Sequence, residues 1–162
     1  MLDPRTRKLT LAGILVAAVV LGGVFSFPVL GSRCAPMQHL VNIIAAVFLG
    51  PLWGIGVAFS ASVLRNIAGL GSLMAFPGSM IGALLCGLAY HYTKRLELTC
   101  IAEALGTGIL GALAAYPVAA FLMGLNPASY TVYIVPFLIS TGAGSMLAYL
   151  ALRFLLPKLR KQ

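Results

Sequence analysis

Charged side chains are scarce in this chain. Only 9% of its 162 residues are charged and 60% are hydrophobic, whereas soluble domains usually carry ~25% charged residues. Such a chain cannot cover a surface exposed to water, so the bilayer must be its solvent. A spanning helix needs ~20 apolar residues, which limits the chain to about six helices. That leaves no room for a soluble catalytic or nucleotide-binding domain.

Acids are scarcer still, since the chain contains only Asp3, Glu97 and Glu103. We expect all three at or near the cytoplasmic side, with Glu103 paired to Lys94 or Arg95 at the interface. The sequence therefore predicts neither paired carboxylates nor a Ser-His-Asp set in a site. It also has no GxxxxGK[ST] loop for binding and splitting ATP. We expect a protein that is not an enzyme.

The three cysteines, Cys34, Cys86 and Cys100, are widely spaced and form no CxxC pair. This spacing supports neither a disulfide framework nor a zinc site. Cys34 and His39 together offer only two metal donors, so we expect no metal and no cofactor in this chain. The net charge of +8 would suggest nucleic acid for a soluble protein. Here the basic residues lie at segment ends, where they indicate topology and contacts with anionic lipid.

Apolar segments fill most of the chain and predict a single transmembrane domain over residues 1–162, an all-α integral membrane protein. The six predicted helices are about 9–24, 37–49, 52–67, 78–92, 98–123 and 129–156. A basic start before an apolar run also occurs in signal peptides. More membrane segments follow here, so we expect the first segment to be retained.

The basic residues predict the orientation of the six helices. Alternation of six spans places nine of the eleven Lys and Arg residues on the side of the termini. They are Arg5, Arg7, Lys8, Lys94, Arg95, Arg153, Lys158, Arg160 and Lys161. Because basic residues mark the inner side, we expect both termini in the cytoplasm and the protein in the plasma membrane.

Prolines mark the predicted outer starts of three helices, at Pro36, Pro77 and Pro127. Proline suits the first turn of a helix, where its missing N–H costs nothing. The free N–H groups of such helix ends can bind an anion or a hydroxyl oxygen. Ordinary helix initiation explains the prolines equally well.

A polar, proline-broken stretch over residues 25–42 interrupts the apolar chain. It contains Arg33, Cys34, Gln38, His39 and Asn42. The last three are three or four residues apart, so they project to neighbouring faces of one helical turn. Burying such groups against lipid would cost several kcal/mol each. The stretch therefore predicts a small-molecule pocket at the outer face.

Further candidates lie at the same predicted depth. Arg65 and Asn66 end the third segment near Ser79, either anchoring a loop or contacting a polar or phosphorylated ligand. Three tyrosines are candidates for stacking on a flat heterocycle: Tyr116, Tyr130 and Tyr133.

Small residues recur at four-residue spacing in several segments, as expected where helices pack closely in lipid. In segments 4 and 5 we expect this packing to be internal. In the terminal first segment, the small residues instead suggest a face for a partner subunit. These candidate docking residues are Gly13, Ala17, Ala18 and Gly22.

The stretches CAPMQHLVN, LGPLWG and LRNIAGLGSLMAFPGSMIGALLCGLAYHY resemble the ThiW family over nearly the whole chain. Members of this family are substrate-binding S components of energy-coupling factor (ECF) transporters, proposed to take up the thiazole precursor of thiamin. The resemblance implies an S-component bundle of six helices. It also implies an extracellular loop 1 that covers a ligand pocket near the outer leaflet.

The resemblance implies partners as well: one transmembrane coupling subunit and two ATPase subunits, whose ATP hydrolysis topples the S component to release ligand inside. Related S components dock through an AxxxA motif on helix 1. Here the matching registers are Gly13-xxx-Ala17 and Ala18-xxx-Gly22. The thiazole alcohol (hydroxyethylthiazole) and its phosphate both remain open as substrates. The alternative is a self-sufficient secondary transporter or channel for a small heterocycle, dependent on Glu103.

Overall fold

The chain is mostly helical in a computed structural model, which describes residues 3–29 and 32–159. The elements before the first long turn are α1 (Pro4–Gly22), a 3-10 turn (Gly23–Phe25), β1 (Phe27–Val29), β2 (Ser32–Cys34), α2 (Pro36–Phe48) and α3 (Pro51–Ile67). The later elements are α4 (Ala75–Thr93), α5 (Leu96–Leu105), a π-helical segment (Gly106–Gly111), α6 (Ala112–Pro117), a second π-helical segment (Val118–Leu122) and α7 (Ile134–Leu159).

Three helices of the described ranges are long and apolar enough to cross a membrane: Pro4–Phe25, Leu96–Leu122 and Ile134–Lys158. The predicted all-α membrane class is therefore confirmed. The 13 residues of α2 and the 17 of α3 rise only about 20 and 26 Å, short of a hydrocarbon core ~30 Å thick. Six crossings and cytoplasmic termini stay predictions. Two of the basic residues on which the predicted orientation depends, Arg160 and Lys161, lie outside the described residues.

Helix starts differ from the sequence expectation at one of the three prolines. Pro36 opens α2 and Pro77 lies in the first turn of α4, but α7 begins only at Ile134. The prediction that Pro127 starts a helix is wrong. The Ser129 hydroxyl accepts a hydrogen bond of 3.2 Å from the backbone N–H of Thr131, and such local bonds favour a turn over a helix.

Helices α2 and α4 form the centre of the bundle. Helix α2 packs against α1, α3, α4, α5 and α7, and α4 packs against α2, α3, α5, α6 and the first π-helical segment. Both central helices therefore bury side chains on several sides. The polar residues of α2 consequently face protein rather than lipid.

Two glycines allow close approaches between helices. A Cβ at Gly82 of α4 would lie 2.7 Å from the Glu103 carboxyl and closer still to the Thr107 hydroxyl. A Cβ at Gly144 of α7 would lie 2.7 Å from His39 Cβ. Neither position has room for a larger side chain, so glycine sets both helix–helix distances.

A short antiparallel hairpin connects α1 to α2, with Phe27 opposite Cys34. It is fastened to α7 at two points. The Cys34 thiol lies 3.2 Å from the Pro136 carbonyl oxygen, to which it donates. The Ala35 N–H donates to the Ser140 hydroxyl at 2.8 Å. The hairpin is thereby held over the ends of α2 and α7.

Candidate functional site

A cavity of about 40 Å³ lies where the hairpin and the ends of several helices meet. Nine of its fourteen lining residues have polar side chains, although the surrounding chain is mostly apolar. The lining residues are Ser32, Arg33, Ala35, Gln38, His39, Arg65, Ser72, Met74, Ala75, Gly78, Ser79, Thr107, Phe137 and Ser140. A space of this size holds about three water molecules.

His39 on α2 connects the cavity to the protein interior. Its Nε2 atom lies 3.0 Å from the Ser140 hydroxyl, which also lines the cavity. Its Nδ1 atom lies 3.0 Å from Glu103 Oε1. When the proton is on Nδ1, the ring donates to the carboxylate and its Nε2 accepts from the Ser140 hydroxyl. The imidazole is therefore held from both sides while one edge borders the cavity.

Glu103 lies at the centre of the bundle, with an exposed fraction of 0%. Besides His39, its Oε1 atom accepts from Asn42 Nδ2 at 3.0 Å and from the Thr107 hydroxyl at 3.1 Å. Three donors from two helices thus satisfy one oxygen of a buried carboxyl, which would otherwise be costly. Its Oε2 atom has no hydrogen-bond partner among the described residues.

The expected interfacial pairing of Glu103 with Lys94 or Arg95 is therefore wrong. Glu103 is the eighth residue of α5, about 10 Å along the helix from its start, and it faces α2 rather than the exposed basic residues. The acids were also expected away from the polar stretch, yet Ser140, His39 and Glu103 follow one another in a Ser-His-Glu arrangement with both distances at 3.0 Å. Ser140 accepts from the Ala35 N–H in the same arrangement.

Helical spacing explains why these groups meet. His39 and Asn42 are three residues apart on α2, and Glu103 and Thr107 are four residues apart on the facing helix, so each pair shares one helix face. Gly82 on α4 has no side chain, and the Glu103 carboxyl and the Thr107 hydroxyl fill the space that a side chain would occupy there. Asn42 also donates to the Ser79 carbonyl at 3.2 Å. It lies beneath the cavity and does not line it.

A second network joins α2, α3 and α4 on the other side of the cavity. Gln38 donates to the Ser62 hydroxyl at 3.2 Å, and that hydroxyl lies 3.2 Å from the Ser79 hydroxyl. Arg65 donates from Nη1 to the Gln38 side-chain oxygen and from Nη2 to the Leu70 carbonyl at 3.0 Å. Gln38, Ser79 and Arg65 all line the cavity.

Of two other predicted site residues, one lines the cavity and the other does not. Arg33 lines the cavity from the hairpin, is exposed, and donates to the Gly69 carbonyl at 2.9 Å. Asn66 lies outside the lining and donates to the carbonyls of Ser62 and Ser72 at 2.8 and 3.2 Å. Its contacts match the loop-anchoring alternative.

Cys34 is the last residue of β2 and is buried, outside the cavity lining. Burial raises the pKa of the Cys34 thiol above its ordinary value, which disfavours the thiolate form that acts as nucleophile and metal ligand. No group of three or more His, Cys, Asp or Glu side chains within residues 3–29 and 32–159 could hold a metal ion.

The three predicted tyrosines lie outside the cavity lining. Tyr116 and Tyr130 stack on each other with ring centroids 3.8 Å apart. Tyr133 is buried and packs against Phe137, with ring centroids 6.4 Å apart. The aromatic ring that borders the cavity is Phe137, which occupies the position predicted for a tyrosine.

Several lining residues were not predicted from the sequence, including Ser72, Met74, Thr107, Phe137 and Ser140. Ser140 and Thr141 interrupt an apolar helix in the stretch FLISTGAGS, which was an available signal for a buried polar face. Thr107 lies four residues after Glu103 in segment 5, where the small residues were expected only to pack internally.

Comparison with known proteins identifies the family. The chain matches the model of the ThiW family, described as thiamine-precursor transporter protein, over residues 9–158. No curated protein and no solved structure matches it significantly. The matched range includes the hairpin, all of the cavity lining and the Glu103 network. The chain therefore belongs to the ThiW family of thiamine-precursor transporters.

Proposed function

We propose that this protein is the substrate-binding S component of an ECF-type importer, and that its substrate is the thiazole precursor of thiamin, as the alcohol or its phosphate. The observation that carries the proposal is a cavity walled by buried polar side chains in a chain that is otherwise apolar. Such groups are costly in a membrane protein unless they serve a site. The family assignment supplies the class of solute.

The polar wall suits a small heterocycle that offers several acceptors and donors. Gln38, His39, Ser79 and Ser140 present amide, imidazole and hydroxyl groups, and Phe137 offers an apolar face. A thiazole alcohol has about nine heavy atoms, and such small ligands reach at most ~1.5 kcal/mol per atom. Tight capture therefore requires nearly complete enclosure. The site must widen to admit this ligand, and the hairpin is the element that we expect to move.

In the proposed assembly, ATP is hydrolysed by two partner ATPase subunits, and a transmembrane coupling subunit binds this chain. The protein then lies in the plasma membrane with both termini in the cytoplasm. The excess of basic residues near the helix ends on that side supports this orientation. Of the two candidate docking registers, Gly13 and Ala17 are exposed on α1, whereas Gly22 is buried against Met37. This exposure favours the Gly13-xxx-Ala17 register.

Replacing His39 with alanine tests the binding site. The change leaves Glu103 and Ser140 without their shared partner and removes a group from the cavity wall. We expect ligand affinity to fall by about 1–3 kcal/mol, the usual cost of an unsatisfied buried partner. The measurement is titration calorimetry of the purified protein with the thiazole alcohol and with its phosphate.

His91→Ala is the matched control, because His91 is exposed in the last turn of α4 and should leave affinity unchanged. If His39→Ala folds and binds both compounds as tightly as the wild type, the cavity is not the binding site.

A second candidate, a self-sufficient secondary transporter, gains support from the buried position of Glu103. Ionisable groups inside membrane segments often serve proton or ion coupling, and Glu103 is hydrogen-bonded to a second ionisable group, His39. This candidate predicts solute uptake by the chain alone in proteoliposomes, driven by an ion gradient and lost in Glu103→Gln. The S-component proposal predicts uptake only when the coupling and ATPase subunits and ATP are present.

A further inference from the structure

Two guanidinium groups are brought together at one turn beside the cavity. Arg33 from the hairpin donates to the Gly69 carbonyl at 2.9 Å, and Arg65 from α3 donates to the next carbonyl, that of Leu70, at 3.0 Å. Both arginines line the cavity. Because these two acceptors are adjacent backbone carbonyls, the two positively charged guanidinium groups lie close to each other.

The described structure offers no carboxylate to balance these charges. Arg65 has an exposed fraction of only 2%, yet its hydrogen-bond acceptors are a neutral amide on Gln38 and a backbone carbonyl. Its Nε atom has no partner among the described residues. Among the described residues no Asp or Glu oxygen lies within salt-bridge distance of either guanidinium group, and Glu103 is engaged elsewhere, with its Oε1 atom 3.0 Å from His39 Nδ1. A buried charge is costly unless an opposite charge accompanies it.

The rest of the wall near these arginines also suits an anion. Ser72 and Ser79 line the same cavity, and serine hydroxyls can donate to an anionic oxygen. Glu103 does not line the cavity. A negatively charged ligand group would thus meet donors and positive charge there, without facing a carboxylate.

Given the proposed function, on which this inference rests, we propose that the form of the thiazole precursor bound here is the phosphate monoester, with its phosphoryl oxygens accepting from Arg65 and Arg33. A phosphate monoester carries a charge of ≈ −1.5 to −2 at pH 7, which matches two guanidinium groups. A carboxylate would balance only one of them, and an alcohol neither. Guanidinium also pairs with phosphate through two parallel hydrogen bonds.

The test compares the thiazole alcohol and its phosphate monoester by titration calorimetry on purified wild type, Arg65→Gln, Arg33→Gln and Arg153→Gln. We expect the wild type to bind the phosphate at least about tenfold more tightly than the alcohol, as charge-assisted hydrogen bonds are roughly twice as strong as neutral ones. Arg65→Gln should bring the ratio of the two affinities close to one, because it removes the charge that only the phosphate is expected to use. Arg153 is exposed on α7 and contacts Tyr149, so its variant should keep the wild-type ratio.

Arg33→Gln provides an independent variant, since its exposed side chain can change with little risk to folding. It should lower the ratio several-fold even if Arg65→Gln fails to fold. A wild type that binds the alcohol as tightly as the phosphate overturns this inference and leaves the proposed function intact. A wild type that binds neither compound overturns the proposed function itself.

Discussion

Glu103 holds together the polar interior of this protein. One of its oxygens accepts from His39, Asn42 and Thr107, so a single atom links α2 to the facing helix beneath the cavity. Because the carboxyl is wholly buried, loss of its partners cannot be repaired by water. Its role in the proposed binding protein is to position His39 rather than to touch the ligand.

Glu103→Ala should destabilise the fold more than Glu103→Gln. The alanine variant removes the shared acceptor of three buried donors and leaves those of His39 and Thr107 unsatisfied, each at a cost of about 1–3 kcal/mol. The glutamine variant retains a carbonyl oxygen that can accept from Asn42 and Thr107. Thermal unfolding in detergent should therefore give the order wild type, Glu103→Gln, Glu103→Ala in decreasing stability. Equal unfolding temperatures for the two variants would contradict this role of the carboxyl.

At the residue scale, the sequence predicted the site residues that lie on the polar stretch, but not those that come from distant segments of the chain. Gln38, His39 and Arg33 follow one another along a conspicuous polar stretch, and all three line the cavity. Ser140 and Glu103 come from segments distant in the chain, and nothing in their own neighbourhoods specifies which helix they face. Glu103 follows a basic pair closely, which made interfacial pairing the simpler interpretation.

At the scale of elements, the packing of α4 against α5 depends on glycine. The approach at Gly82 brings the Glu103 and Thr107 side chains against the backbone of α4. Gly106 repeats the approach from the other helix, since a Cβ there would lie 2.9 Å from Gly82 Cα. At Gly82 and Gly106 the backbones of the two helices therefore contact each other directly.

Gly82→Ala should therefore destabilise the protein by more than about 2 kcal/mol, because the added methyl overlaps the Thr107 hydroxyl and forces the helices apart. Gly142→Ala is the matched control, as Gly142 lies on α7 and a Cβ added there would meet nothing within 4 Å. Alanine favours a helix interior over glycine by about 1 kcal/mol, so this variant should be neutral or stabilising. The measurement is the unfolding temperature in detergent, and equal losses in both variants would refute the role given to Gly82.

Helix positions were largely predictable because apolar length and proline placement specify them. The late start of α7 was not, since Ser129 and Thr131 form a local turn that hydropathy does not register. The π-helical segment at Gly106–Gly111 was not predictable either. It reflects close packing against α4, which is a tertiary effect.

At the scale of the whole molecule, α1 has an unusual surface. A groove between α1 and α3 is lined by apolar and small residues, among them Gly13, Ala17 and Gly56. In a monomer this surface would face lipid. In the proposed assembly it is the place for the coupling subunit, and none of its lining residues lines the ligand cavity.

Ala17→Phe should abolish co-purification with the coupling subunit while leaving ligand affinity unchanged. Ala17 is exposed on α1, so the larger ring disturbs an external contact and not the core. Pull-down from membranes containing all subunits, together with calorimetry on the variant alone, separates the two effects. Intact co-purification would exclude this register, and loss of both properties would indicate misfolding.

The π-helical segment carries one more consequence. A π-helical turn accommodates a residue more than a regular α-helical turn does, so deleting one residue between 106 and 111 should convert this segment to regular α-helix. Each residue of an α-helix turns the chain by about 100°. An extra residue in a regular α-helix would rotate the half that carries Glu103 by this angle relative to the downstream half, whereas the wider π turn absorbs the extra residue and keeps Glu103 directed at His39. The irregular segment thus preserves the angular phase between the carboxyl and the remainder of its helix.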